Sequence, residues 1–416
     1  MVFLAGKGEN EVKIFSMYSG LKREIYILCF GRFVTAMGSL IWPMLTLILK
    51  SKLGYDAEQV ALWFLVFGIV QIPLGLIGGK LTDRYNKRNL IIVFDLISVL
   101  LYAITAFLPL STLSICIYYI GSLFQHMEWP AYDALIAELT KDDEREKAYS
   151  LQYLAANLGV VFAPTLGGLL FNKYLWLSFL IAGGAVFSST MLIYRFVPRN
   201  TEKVENNNTY EKHSEGNLWD VIKKRKLLIG YLVINCMVSI VYAQFNYMLP
   251  MQMDDMFGVQ GAVYFGMMTS VNGGVVILFT PILTQLTLKW KDLQRIQLGT
   301  FLEVVGVCSC AIFGKNLTLY FCAMVLFTLG EVLHTIGHSP YLSKRIPDSH
   351  RGRFTSFNNI LRTLSSSAGN TVVGKIIVMY SFVHGWIAVF VFGLVLSVFL
   401  MFYRKLDRKE FALLYK

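Results

Sequence analysis

Charge is scarce in this chain. Asp, Glu, Lys and Arg make up only 16% of its 416 residues, against about 25% in an ordinary soluble domain. That deficit argues against a water-soluble globular fold. Cysteine is scarce too. The six cysteines, at 29, 116, 236, 308, 310 and 322, all fall in apolar runs, and none forms a Cys-x-x-Cys or Cys/His metal spacing. Buried inert thiols are expected, and no metal site. The sequence has no Gly-rich phosphate loop, no zinc motif and no nucleophile elbow, which leaves no ATP-driven pump, enzyme or cofactor to propose from this chain. The first 24 residues mix charges and lack a continuous apolar stretch with a small-residue cleavage site, so they do not read as a signal peptide. Within them, Glu11–Leu21 reads as a short helix lying on a membrane surface.

Apolar residues are plentiful, at 55%. They gather in runs near 20 residues, the length that crosses a hydrocarbon core of about 30 Å. We read twelve such runs: 25–49, 58–79, 88–109, 113–139, 148–171, 174–196, 226–250, 260–286, 295–314, 317–343, 353–379 and 383–403. An even number puts both termini on one side. With that side taken as the cytosol, thirty-one Lys and Arg fall in inner segments and four (Lys50, Lys52, Lys173 and Lys315) in outer loops. Positive charge resists translocation, so this bias sets the orientation. It also accounts for the net charge of +11 without a nucleic-acid partner. A cell membrane (plasma or inner) with both termini cytosolic is the expected location.

One short inner loop carries more than charge. Residues 79–91 read Gly-Lys-Leu-Thr-Asp-Arg-Tyr-Asn-Lys-Arg-Asn-Leu-Ile. This resembles the loop between helices 2 and 3 of major facilitator superfamily transporters, G-x-L-a-D-R-x-G-R-K-x-x-L. The match holds at Gly79, Leu81, Asp83, Arg84 and Arg88, with Lys87 a like-charged substitute. Asn86 stands where the family usually has Gly, and Asn is the next-best residue for a left-handed turn. The resemblance implies an all-α membrane protein of twelve transmembrane helices in two pseudo-symmetric six-helix bundles. It further implies that the loop latches the inner side, with Asp83 capping a helix amino terminus and Arg84 pairing to inner-loop acids.

The only long hydrophilic stretch, 197–225, is expected to be a flexible cytosolic linker with a basic amphipathic run at its end. We therefore divide the chain into an amino-terminal segment 1–24, a bundle 25–196, the linker 197–225, a bundle 226–403 and a tail 404–416. A faint repeat at an offset of 206 residues aligns Arg145 with Arg351 and Ser150 with Ser356, and parallel six-helix repeats are a transporter architecture. The fifth segment reads Gly159-Val-Val-Phe-Ala-Pro164-Thr-Leu-Gly167-Gly168. It is similar to an element of antiporters in the superfamily, and read alone it is a small-residue face for close helix packing. In the tenth segment, Gly330-Glu331-Val332-Leu333 with Arg351-Gly352-Arg353 beyond it is similar to a pattern of bacterial multidrug-type members. The Arg that many drug antiporters carry early in helix 4 is missing from 117–125.

An ionisable residue inside a spanning helix is costly and usually paired or facing a watery cavity. Glu331 lies near mid-membrane, with His334 one turn on. At the repeat offset Glu331 aligns with Gln125. Glu128 shares a face with Gln125 and Tyr132, as a proton or substrate group or as a locally hydrogen-bonded acid. Arg32 and Asp133 lie about 10 Å from the inner ends of their helices and form a candidate pair, structural or gating. Glu303 and Arg362 read as a structural pair, Asp95 as a tether for the 79–91 loop, and His126 and His338 as packing residues. Tyr242, Phe245 and Asn246, with Trp42 and nearby methionines, suit amphipathic or cationic molecules.

The expected function is proton-coupled export of small amphipathic compounds or drugs by alternating access. The partners are a small-molecule substrate, protons and the bilayer. Proton-coupling candidates are Glu331, Glu128, Asp133 and His334, and cavity candidates are Arg32, Gln125, Tyr242, Phe245 and Asn246. The alternatives are import of a nutrient or peptide, or a receptor or scaffold that transports nothing.

Overall fold

A backbone in hydrocarbon must satisfy its own hydrogen bonds, so apolar runs of this length become helices. The computed structural model describes residues 19–199, 226–343, 345 and 348–412, and it has no strand among them. The helices are α1 (Arg23–Met37), α2 (Ile41–Leu47), α3 (Ala57–Arg84), α4 (Lys87–Phe107), α5 (Thr112–Leu139), α6 (Asp142–Phe171) and α7 (Leu175–Phe196). They continue as α8 (Lys226–Ala243), α9 (Met248–Phe257), α10 (Gly261–Leu286), α11 (Asp292–Cys308), α12 (Leu317–Ser343), α13 (Asp348–Met379) and α14 (Phe382–Glu410). The pairs α1/α2 and α8/α9 each make one broken crossing, so the fold is a twelve-crossing helical membrane protein.

Eight stretches of the described residues are long and apolar enough to cross a membrane by length and composition, one of them the 60-residue Leu227–Leu286 that holds two crossings. The others are the shorter or more polar ones. Helix α5 carries Glu128 and Asp133, α11 has 17 residues, and α13 carries Arg362 and Lys375. Large apolar side chains face outward along many helices, including Leu100, Leu286, Val372 and Phe402. Such a surface is what lipid, not water, covers.

The two breaks have local causes. After Met37 the chain passes Gly38, and Pro43 then sits inside α2. Between α8 and α9 the backbone turns at 244–247, where the buried Gln244 donates to Ile240 O at 2.9 Å and to Asn370 Oδ1 at 3.0 Å. Those bonds satisfy polar groups that the broken helix leaves inside the membrane.

By proximity the chain forms two compact units. The first takes in Met1–Leu40, Pro73–Ala163 and Leu175–Asn207, and the second Ile41–Ile72, Pro164–Tyr174 and Asn208–Lys416. The first unit centres on a core of Ile25, Leu28, Ile91, Ala131, Ile136, Ala148 and Ile193. The second buries Trp386, Tyr231, Tyr247, Phe265 and Phe327. Within it Lys50 Nζ donates to Met251 O at 2.9 Å, and Ser51 donates to Asp254 at 2.6 Å. The surface helix at Glu11–Leu21, the linker and the Arg145/Arg351 repeat lie wholly or in part outside the described residues.

Candidate functional site

The basic turn is built on a cap. Asn86 has φ −64° and ψ 120°, and its side chain accepts from Asn89 N. No described non-glycine residue has positive φ. The expectation of a left-handed turn at Asn86 is thus corrected: the turn closes through an N-cap, a role that suits Asn. Asn86 Nδ2 also donates to Arg199 O at 2.7 Å. Lys87 pairs with Glu138 at 2.6 Å. Arg88 donates to Tyr194 O at 2.7 Å and lies over the Tyr194 ring. Gly79 has open space around it, Arg84 ends α3 exposed, and the Asp83 side chain lies outside the described set.

In α6 the glycines meet other helices closely. A Cβ on Gly159 would fall 2.6 Å from both Ala36 Cβ and Phe33 O of α1, within the first unit. In the second unit, Gly168 lies against the Ala262 backbone and Gly266 against the Pro164 carbonyl, both contacts with α10. Gly167 is buried.

The first unit holds a cavity of ≈ 240 Å³ lined by Arg32, Tyr102, Gln125, Glu128 and Trp129, among others. The Arg32 guanidinium lies 5.0 Å from the centre of the Trp129 ring and 5.6 Å from that of Tyr132. Cation–π contact suits an Arg in a low dielectric. Gln125 accepts from Tyr102 at 2.9 Å. Asp133 is held by Gln152 at 3.4 Å, so the expected Arg32–Asp133 pair gives way to these separate partners, with Arg32 acting on Asp133 only through its charge.

Glu128 and Asp95 are both buried, and the two acids act on each other electrostatically. Asp95 in turn accepts from Thr190 at 2.7 Å. Asp95 is thus held by Thr190 of α7 and not by the basic loop.

The second unit holds a cavity of ≈ 370 Å³ whose wall includes Trp42, Phe64, Gln71, Tyr242, Asn246 and Arg362. Tyr242 connects it to Glu331. The tyrosine hydroxyl donates to Glu331 Oε1 at 2.9 Å, and Asn272 Nδ2 donates to Oε2 at 2.7 Å. Both carboxylate oxygens are thus occupied by donors from α8 and α10. Phe245 does not line this cavity. It is buried against Phe265 and Phe327, because the break after α8 turns it into the core. His334 lies beside Glu303 and not Glu331, with Nδ1 3.6 Å from Glu303 Oε1. The expected Glu303–Arg362 pair is replaced by this one. His338 bonds with Tyr231 at 2.8 Å, and His126 packs on Trp129.

Sequence reasoning missed Asp95 and Asn272 as partners of the two acids. Each had a signal. Asp95 is a lone acid in an apolar run, and Asn272 is a lone amide before Gly273-Gly274. No group of metal-ligating side chains occurs among the described residues.

Comparison with known proteins agrees with this architecture. The profile of the Major Facilitator Superfamily matches residues 28–370. The chain is 22% identical over 358 residues to the Na(+), Li(+), K(+)/H(+) antiporter of Planococcus maritimus, covering 78% of this chain and 82% of that protein. It is 23% identical over 357 residues to multidrug resistance protein MdtH of Photorhabdus laumondii, covering 83% and 84%. Among solved structures, a bacterial homologue of the human lysosomal transporter Spinster, inward-facing and unoccupied, aligns with a TM-score of 0.74 at 12% identity over 93% and 98% of the chains. A peptide transporter, POT, in complex with sulfate aligns with a TM-score of 0.73 at 16% identity over 93% and 94%. At these identities the structures speak to the fold alone.

Proposed function

Since this chain belongs to the Major Facilitator Superfamily and is one of its transporters, not an enzyme, we propose that it exports small amphipathic compounds in exchange for protons. The cycle is alternating access, with Glu331 as the coupling acid. The observation that carries the reading is Tyr242, which lines the second unit's cavity and whose hydroxyl donates to the Glu331 carboxyl. A proton taken up by Glu331 removes the charge that holds both donors, and a change at the Tyr242 wall follows. A proton lost restores that charge. An acid that binds proton and substrate at different times makes one flux drive the other.

Several finer points belong to the same reading. The cavity wall of Trp42, Phe64, Gln71, Tyr242, Asn246 and Arg362 offers aromatic faces, amide groups and one cation, a lining suited to amphipathic molecules. Arg32, Gln125, Glu128 and Asp133 form a second polar region that modulates proton affinity. Asp83 and the basic residues of the 79–91 loop act at the inner gate. The helices after and before the 197–225 linker form the two six-helix halves, with the termini and linker in the cytosol.

The relatives point to chemistries for comparison. One is named for monovalent cation/proton exchange and others for multidrug resistance. The test is substrate-triggered proton movement in proteoliposomes, with dyes, drugs, lipids, Na⁺, Li⁺ and K⁺ each supplied. Exchange with an amphipathic cation supports the reading. Proton movement in the same direction as substrate entry marks an importer, and a protein that moves nothing marks a receptor or scaffold.

A further inference from the structure

Glu303 of α11 and His334 of α12 face each other deep in the second unit. Their closest atoms, Glu303 Oε1 and His334 Nδ1, are 3.6 Å apart. Glu303 is 1% exposed and His334 9%. Among the described residues, neither carboxyl oxygen of Glu303 has a hydrogen-bond partner, and neither does His334 Nε2. The spacing is set by backbone. A Cβ on Gly299 would fall 2.5 Å from His334 N, and one on Gly330 would fall 2.6 Å from Glu303 N. A glycine crossing of α11 and α12 thus holds the two side chains together.

A buried carboxylate without a donor is strongly disfavoured. Two arrangements relieve it. In one, Glu303 carries a proton and faces a neutral imidazole. In the other, His334 carries it and faces the carboxylate. Both hold one proton and have no net charge. They interconvert when the His334 Nδ1–H bond breaks and a Glu303 Oε1–H bond forms. Emptying the pair leaves a lone buried anion, and adding a second proton leaves a lone buried cation, so one shared proton is the arrangement the burial favours.

We infer that Glu303 and His334 form a one-proton relay site that serves Glu331. Along α12, Glu331 lies one turn to one side of His334 and His338 one turn to the other, a line of about 10 Å at the helical rise. The His334 and His338 ring centres are 5.8 Å apart. The other ionisable groups around the site are Tyr242 and Tyr231 of α8, bonded to Glu331 and His338, and Arg362 of α13, which acts on Tyr242 and His338. Helix α14 meets α11 through Gly393 and Val304, and farther along through Arg404 bonded to Gln297. The pair's part in transport rests on Glu331 being the coupling acid, whereas the shared proton does not.

The experiment has two arms. The first needs no substrate. Infrared spectra of the full-length protein in lipid nanodiscs are compared for His334→Gln and the double variant Glu303→Gln/His334→Gln at neutral pH. Without the imidazole, Glu303 must keep the proton, so His334→Gln shows a carboxylic-acid C=O band that the double variant loses. The same band is expected in His334→Asn, should His334→Gln not fold. Its absence from a folded histidine variant overturns the shared-proton site. The second arm uses vesicles. Glu303→Gln and His334→Gln each shift the pH profile of gradient-driven flux and leave gradient-free exchange at the wild-type profile. An unshifted driven-flux profile overturns the relay. If instead Glu331→Gln still concentrates substrate, it is the coupling reading that fails, and the infrared result stands apart from it.

Discussion

Between α3 and α4, the Asn86 side chain caps α4 and reaches Arg199 O. Replacing a side-chain cap by Ala costs about 1 kcal/mol, and replacing it by Gly roughly a few tenths. Asn86→Ala should therefore lower the thermal unfolding midpoint in detergent more than Asn86→Gly does. An alanine variant as stable as wild type would contradict the cap. The residue also shows the limit of reading by resemblance. Its place in the motif suggested a left-handed turn, but the same sequence position can be closed by a cap with φ −64°. Single acids in apolar runs were legible, because a charge there stands out. Their partners were not. Tyr242 and Asn272 lie 89 and 59 residues from Glu331, and Thr190 lies 95 residues from Asp95. Nothing in local spacing brings such residues together. Asp95 was drawn to the loop because it is near in sequence, and His334 to Glu331 because they share a helix.

At the scale of helices, glycine sets how closely they meet. Gly159 touches α1 backbone, whereas Gly184 of α7 has nothing within 4 Å of an added Cβ. Overpacking a tight contact costs typically about 1–3 kcal/mol. We expect Gly159→Ala to lower the unfolding midpoint by several degrees and Gly184→Ala to leave it unchanged or slightly raised. Equal effects from the two would show that the α1–α6 contact is not limiting. Helix positions were legible almost throughout, since hydrocarbon demands runs of fixed length. The expected run 317–343 is α12, and 260–286 is α10 within one residue. The breaks at 38–40 and 244–247 were not legible. They depend on Gly38 and on the Gln244–Asn370 bond, neither of which interrupts an apolar run.

At the scale of the whole molecule, we propose that charge sets the orientation. With both termini taken as cytosolic, thirty-one Lys and Arg fall in inner segments and four in outer loops, a bias that favours insertion in that sense. Single cysteines introduced at position 207 or 410, in a protein otherwise free of reactive cysteine, should resist an impermeant reagent in intact cells and react after the cells are opened. Efficient labelling from outside would reverse the assignment. Twelve crossings were legible because every apolar run must bury its backbone in helix. Which residues gather into one compact unit was not, since 41–72 and 164–174 join the second unit from the first half of the sequence.

The central claim is that Glu331 couples proton flow to export. The most direct measurement compares pH-gradient-driven flux with gradient-free exchange in the same proteoliposomes, for wild type and Glu331→Gln. Gln keeps the shape of a protonated acid and cannot release a proton. The account predicts that driven accumulation is lost, by about 10²-fold or more as for other essential proton-transfer groups, while exchange persists. If Glu331→Gln still concentrates substrate against its gradient, Glu331 is not the coupling acid, and the buried acids Glu128 and Asp95 of the first unit become the candidates.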